Sequence, residues 1–201
     1  MKNPTLLKEM LHYRGRDEMP DDFDTFWNKR VAEVEVPQDY QLLEKDFQIA
    51  YATCYELTFK SGNGGQIYAK LVVPKLSEKV PVLFHFHGYM GQGWDWADML
   101  AYTAAGWGVV SMDVRGQSGY SLDGNREVRG NTVKGHIKRG ALDGPDQLFF
   151  KDVYLDVYTL VELVAGLDFV DENRLSSFGG SQGGALALVA AALNSRIKQT
   201  V

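Results

Sequence analysis

Around position 181 the chain reads Phe178-Gly179-Gly180-Ser181-Gln182-Gly183-Gly184, so a hydroxyl stands with a glycine two positions before it and another two positions after. A serine hydroxyl is a weak nucleophile on its own. The G-x-S-x-G spacing can present it on a tight bend where an acyl carbon can be attacked. Such a bend demands a strained backbone and the absence of neighbouring Cβ atoms, which glycines at 179 and 183 supply. The context agrees, because Leu175 to Phe178 is a β-like run and the residues through Ala192 are strong helix formers. Strand, sharp turn and helix then follow in order, and the first N–H groups of the helix face charge developing on a substrate. The plainer alternative is a glycine-rich turn that only lets a helix pack closely on a strand.

A second constellation, Phe84-His85-Phe86-His87-Gly88-Tyr89, ends an earlier apolar run. In the α/β-hydrolase arrangement one oxyanion donor is the backbone N–H after the nucleophile, here Gln182. The other comes from the loop after an earlier strand, where Gly88 and Tyr89 stand. Strand alternation puts His85 and His87 on one side, which raises a metal site; His12, His136 and Cys54 show no supporting ligand spacing, so no metal is expected. Asp113-Val114-Arg115-Gly116-Gln117 follows the next apolar run, and its acid and guanidinium are expected to brace the loop by hydrogen bonds.

The motifs His87-Gly88-Tyr89, Arg115-Gly116-Gln117 and Gly179-Gly180-Ser181-Gln182-Gly183 occur in an order and context that resemble the acetyl xylan esterase / cephalosporin-C deacetylase family. The N-terminal segment with Phe23, Phe26 and Trp27 is similar to that family's opening extension, so the resemblance covers essentially all 201 residues. It implies an α/β-hydrolase that removes acetyl groups from small acetylated saccharides and related esters such as cephalosporin C, with neither metal nor organic cofactor. It also implies a cytoplasmic homo-hexamer whose contacts include an inserted loop. Carried over by position, Ser181 is the nucleophile, and Tyr89 and Gln182 form the oxyanion hole.

A serine hydrolase of this class orders its triad as Ser, then Asp or Glu, then His. From Gln182 to Val201 the sequence holds no Asp, Glu or His. The expectation is therefore an N-terminal portion of an esterase, truncated after the helix that follows the nucleophile and inactive alone. An unusual triad could instead recruit His87 or His136 with Asp143, Asp146 or Asp152. Two other functions remain open: a peptidase on the same fold, and a non-catalytic fragment acting by binding or by association with other subunits.

The elements that must position these residues alternate. A helix is expected from Asp22 to Val34, where Phe23, Phe26, Trp27, Val31 and Val34 share one face. Alternating residues 51–60, a glycine-rich turn at 61–65 and an apolar stretch over 67–73 predict an antiparallel hairpin. Strands follow at 80–86, 107–112 and 175–178, and helices at 96–105, 151–165 and 183–193, with a further strand starting at the C-terminal end. That order predicts an α/β fold: a mostly parallel sheet covered by helices on both faces, with the hairpin at one edge. Residues 1–201 are expected to form a single incomplete domain, with 1–48 a helical extension and 49–201 the hairpin and parallel βα core. Between Val114 and Phe150 lies a glycine-dotted loop of functional or interfacial length.

Composition limits the function classes. The chain is 45% hydrophobic and 23% charged with a net charge of -5, which suits a packed globular domain and offers no global positive field for nucleic acid. Cys54 stands alone, which excludes an intramolecular disulfide. Lys8 and Glu9 interrupt the only early apolar cluster, and no apolar run is long enough to span a membrane, so an intracellular protein without nucleic-acid or membrane partners is expected.

Overall fold

The computed structural model describes residues 4–124 and 138–201. Two compact units divide the chain between Glu33 and Val34.

The first unit holds helices α1 (Pro4–His12) and α2 (Phe23–Ala32). The aromatic residues at the start of α2 meet one another: Trp27 stands edge-on to Phe23 and Phe26 at 6.4 and 5.3 Å, and the Arg30 guanidinium covers Phe26 at 5.3 Å. Glu33, paired with Arg30 at 2.6 Å, is the C-cap of a helix whose last residue, Ala32, lies two before the expected Val34.

Among its described residues the second unit carries seven strands: β1 (Gln41–Lys45), β2 (Ala52–Lys60), β3 (Gln66–Pro74), β4 (Val80–Phe86), β5 (Gly108–Met112), β6 (Val170–Gly179) and β7 (Ile197–Thr200). Their spatial order is β1-β2-β3-β5-β4-β6-β7. The hairpin β2–β3 pairs antiparallel with β5, whereas β5, β4, β6 and β7 run parallel. The helical extension expected over 1–48 is corrected here: residues 34–48 belong to the sheet unit, and β1 pairs antiparallel with β2 from Gln41↔Thr58 to Lys45↔Cys54.

Among the described residues of this unit the α-helices are α3 (Trp96–Ala104), α4 (Phe149–Ala165) and α5 (Gln182–Leu193). Strand alternation separates two cores. Leu57, Leu71, Val82, Phe84, Phe86, Val110 and Met112 join Val157, Leu160 and Leu186 of α4 and α5 on one face. Ala52, Cys54, Val72 and Val109 meet Met99 of α3 on the other. In α4 the buried residues Val153, Val157, Leu160, Val161 and Val164 recur at helical spacing and form the stripe that docks on the sheet.

This topology fixes where a site can lie. From β4 the chain passes through α3 to β5 on one side, and from β6 it passes through α5 to β7 on the other. The neighbours β4 and β6 therefore send their following loops to opposite faces, and a crevice opens at their carboxyl ends. Those ends carry His87-Gly88-Tyr89 and Gly179-Gly180-Ser181.

Of the long loop after β5, residues 114–124 and 138–148 are described. Leu122 exchanges two backbone hydrogen bonds with Gln66 at 3.0 and 2.7 Å, and the Ser121 hydroxyl accepts from the Tyr68 N–H at 2.9 Å. Further on, Arg139 pairs with Asp123 at 2.6 Å and covers the Phe149 ring at 4.5 Å. His136 lies outside the described residues.

Candidate active site

Strand β6 ends at Gly179 and α5 begins at Gln182, which leaves two residues to reverse the chain. Ser181 takes φ 57 and ψ -121, a conformation costly for any residue with a side chain, and its side chain is exposed. The turn is closed by the Gly183 N–H donating to the Gly180 carbonyl at 2.9 Å and the Ala185 N–H donating to the Ser181 carbonyl at 3.2 Å. A Cβ at Gly183 would overlap the Phe86 carbonyl of β4, and one at Gly179 would overlap Gly183. At Gly180 the space is open. The glycines at the two positions flanking Ser181 in the motif are thus the ones that packing demands.

The loop after β4 lies against this bend. Phe86 and Gly179 are register partners, and a Cβ on Gly88 would stand 4.0 Å from that of Ser181. Gly88 to Gly91 form a turn closed by the Gly91 N–H donating to the Gly88 carbonyl at 2.9 Å. Tyr89, half-buried, occupies its first central position and Met90, at φ 64, its second. A φ this positive at the second central position belongs to a turn that prefers glycine there. Gln182 is the first residue of α5, so its N–H is among the donors that the helix itself leaves unpaired at its N-terminus. Ser181, Tyr89 and Gln182 are therefore brought together.

His87 supports this loop. Its Nδ1 bonds the Gly88 carbonyl at 2.8 Å, and its Nε2 accepts the Val114 N–H at 3.0 Å. A carbonyl only accepts, so Nδ1 carries the proton and the ring is neutral. Burial pushes its pKa down, opposed by the Gly88 hydrogen bond and by Asp113. With both nitrogens committed, His87 cannot take a proton from Ser181, and the unusual triad built on it is corrected on that ground. His85 is stacked on Trp94 at 4.0 Å and bonded to the Ser111 hydroxyl at 2.8 Å, and burial lowers its pKa to about 4. Each imidazole is thus occupied by hydrogen bonding or stacking, and among the described residues no group of three metal-ligating side chains forms.

The acid candidates are dispersed. Asp143 and Asp146 are exposed, and Asp152 accepts from the Asn63 amide at 2.8 Å and pairs with Lys151 at 2.9 Å.

The segment after β5 braces the site in the expected way. Asp113 accepts the Gly93 N–H at 2.6 Å and the Tyr120 N–H at 2.7 Å. The Arg115 side chain is fully buried; its Nε donates to Asp156 of α4 at 2.6 Å, and its terminal nitrogens donate to the Gly62 carbonyl at 3.1 Å. Burial raises the Asp156 pKa, and the guanidinium beside it pulls the other way. Sequence reading missed the role of Gln117. That fully buried side chain accepts the Met90 N–H at 3.0 Å and donates to the Gln182 side chain at 2.8 Å. The available signal was its place in the Arg115-Gly116-Gln117 motif; its partners lie far along the chain.

Comparison with known proteins finds similar chains. The family model described as acetyl xylan esterase (AXE1) matches residues 1–201. The acetyl esterase Axe7A of Xylanibacter ruminicola is 29% identical over 189 residues, covering 90% of this chain and 43% of the relative. Acetyl xylan esterase 1 from Thermoanaerobacterium sp. JW/SL YS485 superposes with a TM-score of 0.87 at 42% identity, covering 96% of this chain and 61% of that one. The acetyl xylan esterase from Paenibacillus sp. R4 gives a TM-score of 0.84 at 30% identity, covering 96% and 62%. This chain therefore spans less than half of the Xylanibacter relative and about three-fifths of each of these two solved structures.

Proposed function

Because the chain belongs to the acetyl xylan esterase family, we propose that it carries the nucleophile and the oxyanion hole of a carboxylic ester hydrolase acting on acetyl groups of small acetylated saccharides. Related acetyl esters such as cephalosporin C fall within the same chemistry. The supporting observation is the exposed Ser181 at φ 57, set at the carboxyl ends of β4 and β6 with the Gly88–Tyr89 turn against it.

In this reading the Ser181 Oγ attacks the acetyl carbonyl carbon and gives up its proton to a base. The carbonyl oxygen becomes an oxyanion held by the backbone N–H groups of Gln182 and Tyr89, in front of α5. Collapse of the tetrahedral intermediate expels the sugar alcohol, which takes that proton, and leaves an acetyl-serine. Water attacks this ester in the same way, releases acetate and returns the hydroxyl. The base and its orienting acid belong either to residues outside these 201 or to a triad using His136. A cytoplasmic homo-oligomer, hexameric as the resemblance implies, is proposed for the whole protein and not for residues 1–201 alone.

Hydrolysis of p-nitrophenyl acetate and of an acetylated xylose by the protein and its Ser181→Ala variant tests the reading. Turnover lost with Ser181 supports it, and unchanged turnover overturns it. His136→Ala separates the two sources of the base: full activity in that variant places the base elsewhere. Peptide cleavage exceeding acetyl-ester cleavage would favour a peptidase instead.

A further inference from the structure

The two oxyanion donors sit on different elements, Tyr89 on the turn after β4 and Gln182 at the start of α5, so something must fix one against the other. Gln117, on the loop after β5, touches both. Its Oε1 accepts the N–H of Met90, next to Tyr89, at 3.0 Å. Its Nε2 donates to the Gln182 side-chain carbonyl at 2.8 Å. The Gln182 amide donates back to Gln117 at 3.2 Å and to the His87 carbonyl at 3.4 Å, closing a ring of amides around the base of the turn. Both side chains are buried, so these bonds face little competition from water.

Met90 is the strained point of that turn, a non-glycine residue at φ 64. Strain of this kind persists only where the surroundings over-determine it. Gln117 holds the N–H side of Met90, and the neighbouring Ser118 hydroxyl donates to its carbonyl at 2.6 Å. Two consecutive side chains of one loop therefore clamp both peptide groups of Met90, the residue that follows Tyr89 in the turn.

We infer that Gln117, with Ser118, is a positioning residue that holds the Tyr89 turn and the Gln182 N-terminus in the separation a tetrahedral oxyanion requires. This rests on the esterase reading above. The residues touch no reacting atom. Their contribution is preorganisation, which acts on the transition state and much less on substrate binding.

The test compares Gln117→Met, which preserves volume but removes the amide, with Ser118→Ala, an exposed truncation that leaves folding intact. Steady-state kinetics on p-nitrophenyl acetate are read beside binding of an arylboronic acid, which forms a tetrahedral anionic adduct on a serine oxygen. For Gln117→Met, kcat is expected to fall about 10- to 100-fold, the range a misplaced catalytic group produces, with KM nearly unchanged. Boronate affinity is expected to fall by a similar factor, and Ser118→Ala to show the same pattern more weakly. Unchanged kcat and boronate affinity in both variants would overturn the inference, as would a loss confined to KM. Should Gln117→Met fail to fold, the Ser118→Ala split between kcat and KM decides alone. Ser181→Ala runs in parallel: hydrolysis that survives it removes the esterase reading, whereas hydrolysis that depends on Ser181 but ignores Gln117 and Ser118 removes only this inference.

Discussion

A methyl group at Gly183 would overlap the Phe86 carbonyl, so backbone would have to yield to backbone between β4 and α5. Gly183→Ala is therefore expected to destabilise the protein by about 1–3 kcal/mol, as overpacking does, and to displace the Ser181 bend. Gly180→Ala, where space is open, should be tolerated much better. Urea denaturation of the two variants checks the contrast, and equal midpoints would count against it. His85 carries a pH dependence whose sign follows from its environment. In the unfolded chain the imidazole takes a proton near 6.5; burial in the fold delays this to about 4. Stability present above pH 6.5 is therefore lost as pH falls toward 4. Thermal unfolding followed across that interval should show a falling midpoint. A His85→Gln variant, which cannot titrate, should show a shallower fall, and an identical slope would contradict the assignment.

Among the elements, α4 is tied to the site through the buried Arg115, which pairs closely with Asp156 and lies 4.0 Å from Asp152 on the same helix. Arg115 reaches from the loop after β5 to Asp156 of α4 and to the Gly62 carbonyl in the β2–β3 turn, so a single guanidinium fastens three segments. Removing one partner of such a pair leaves an uncompensated buried charge. Arg115→Met is expected to cost about 3–5 kcal/mol, and adding Asp156→Leu to restore much of the loss. A double-mutant cycle by chemical denaturation measures this; strictly additive losses would show that the two groups act independently. Helix α5 illustrates the opposite strategy, close approach through small residues. Gln182-Gly183-Gly184-Ala185 lets its N-terminus reach β4, and Leu186, Ala187 and Ala190 supply its buried side.

Across the whole molecule, the parallel strands and α3 to α5 were legible because short apolar runs alternate with helix-like segments, and most bounds fall within one or two residues of the reading; β6 starts earlier than expected. Strand β1 was not legible, since Gln41-Leu42-Leu43-Glu44-Lys45 lacks alternation and lies at an edge with no fully buried residue. The amphipathic α1 was read only as an apolar cluster. In the site, the glycine spacing announced Ser181 because steric overlap makes it obligatory. The Gln117–Gln182 pairing left no such mark, because two amides 65 residues apart are joined only by the fold. At the far edge, β7 pairs with β6 and, among the described residues, with nothing else. Beside it lies a cavity of about 290 Å³ lined by Leu83, Tyr102, Trp107, Phe178 and Val201. An open strand edge next to apolar surface invites pairing with other chains, so residues 1–201 by themselves are expected to form assemblies of no fixed stoichiometry. Light scattering over a wide concentration range tests this, and a single species of constant mass would refute it. The central claim concerns Ser181, and mass spectrometry of the protein after reaction with a p-nitrophenyl phosphonate probes it most directly. One phosphonyl group on the peptide containing Ser181, with one equivalent of p-nitrophenol released and no label on Ser181→Ala, is the predicted result; labelling carried by another residue and unchanged in Ser181→Ala would contradict it.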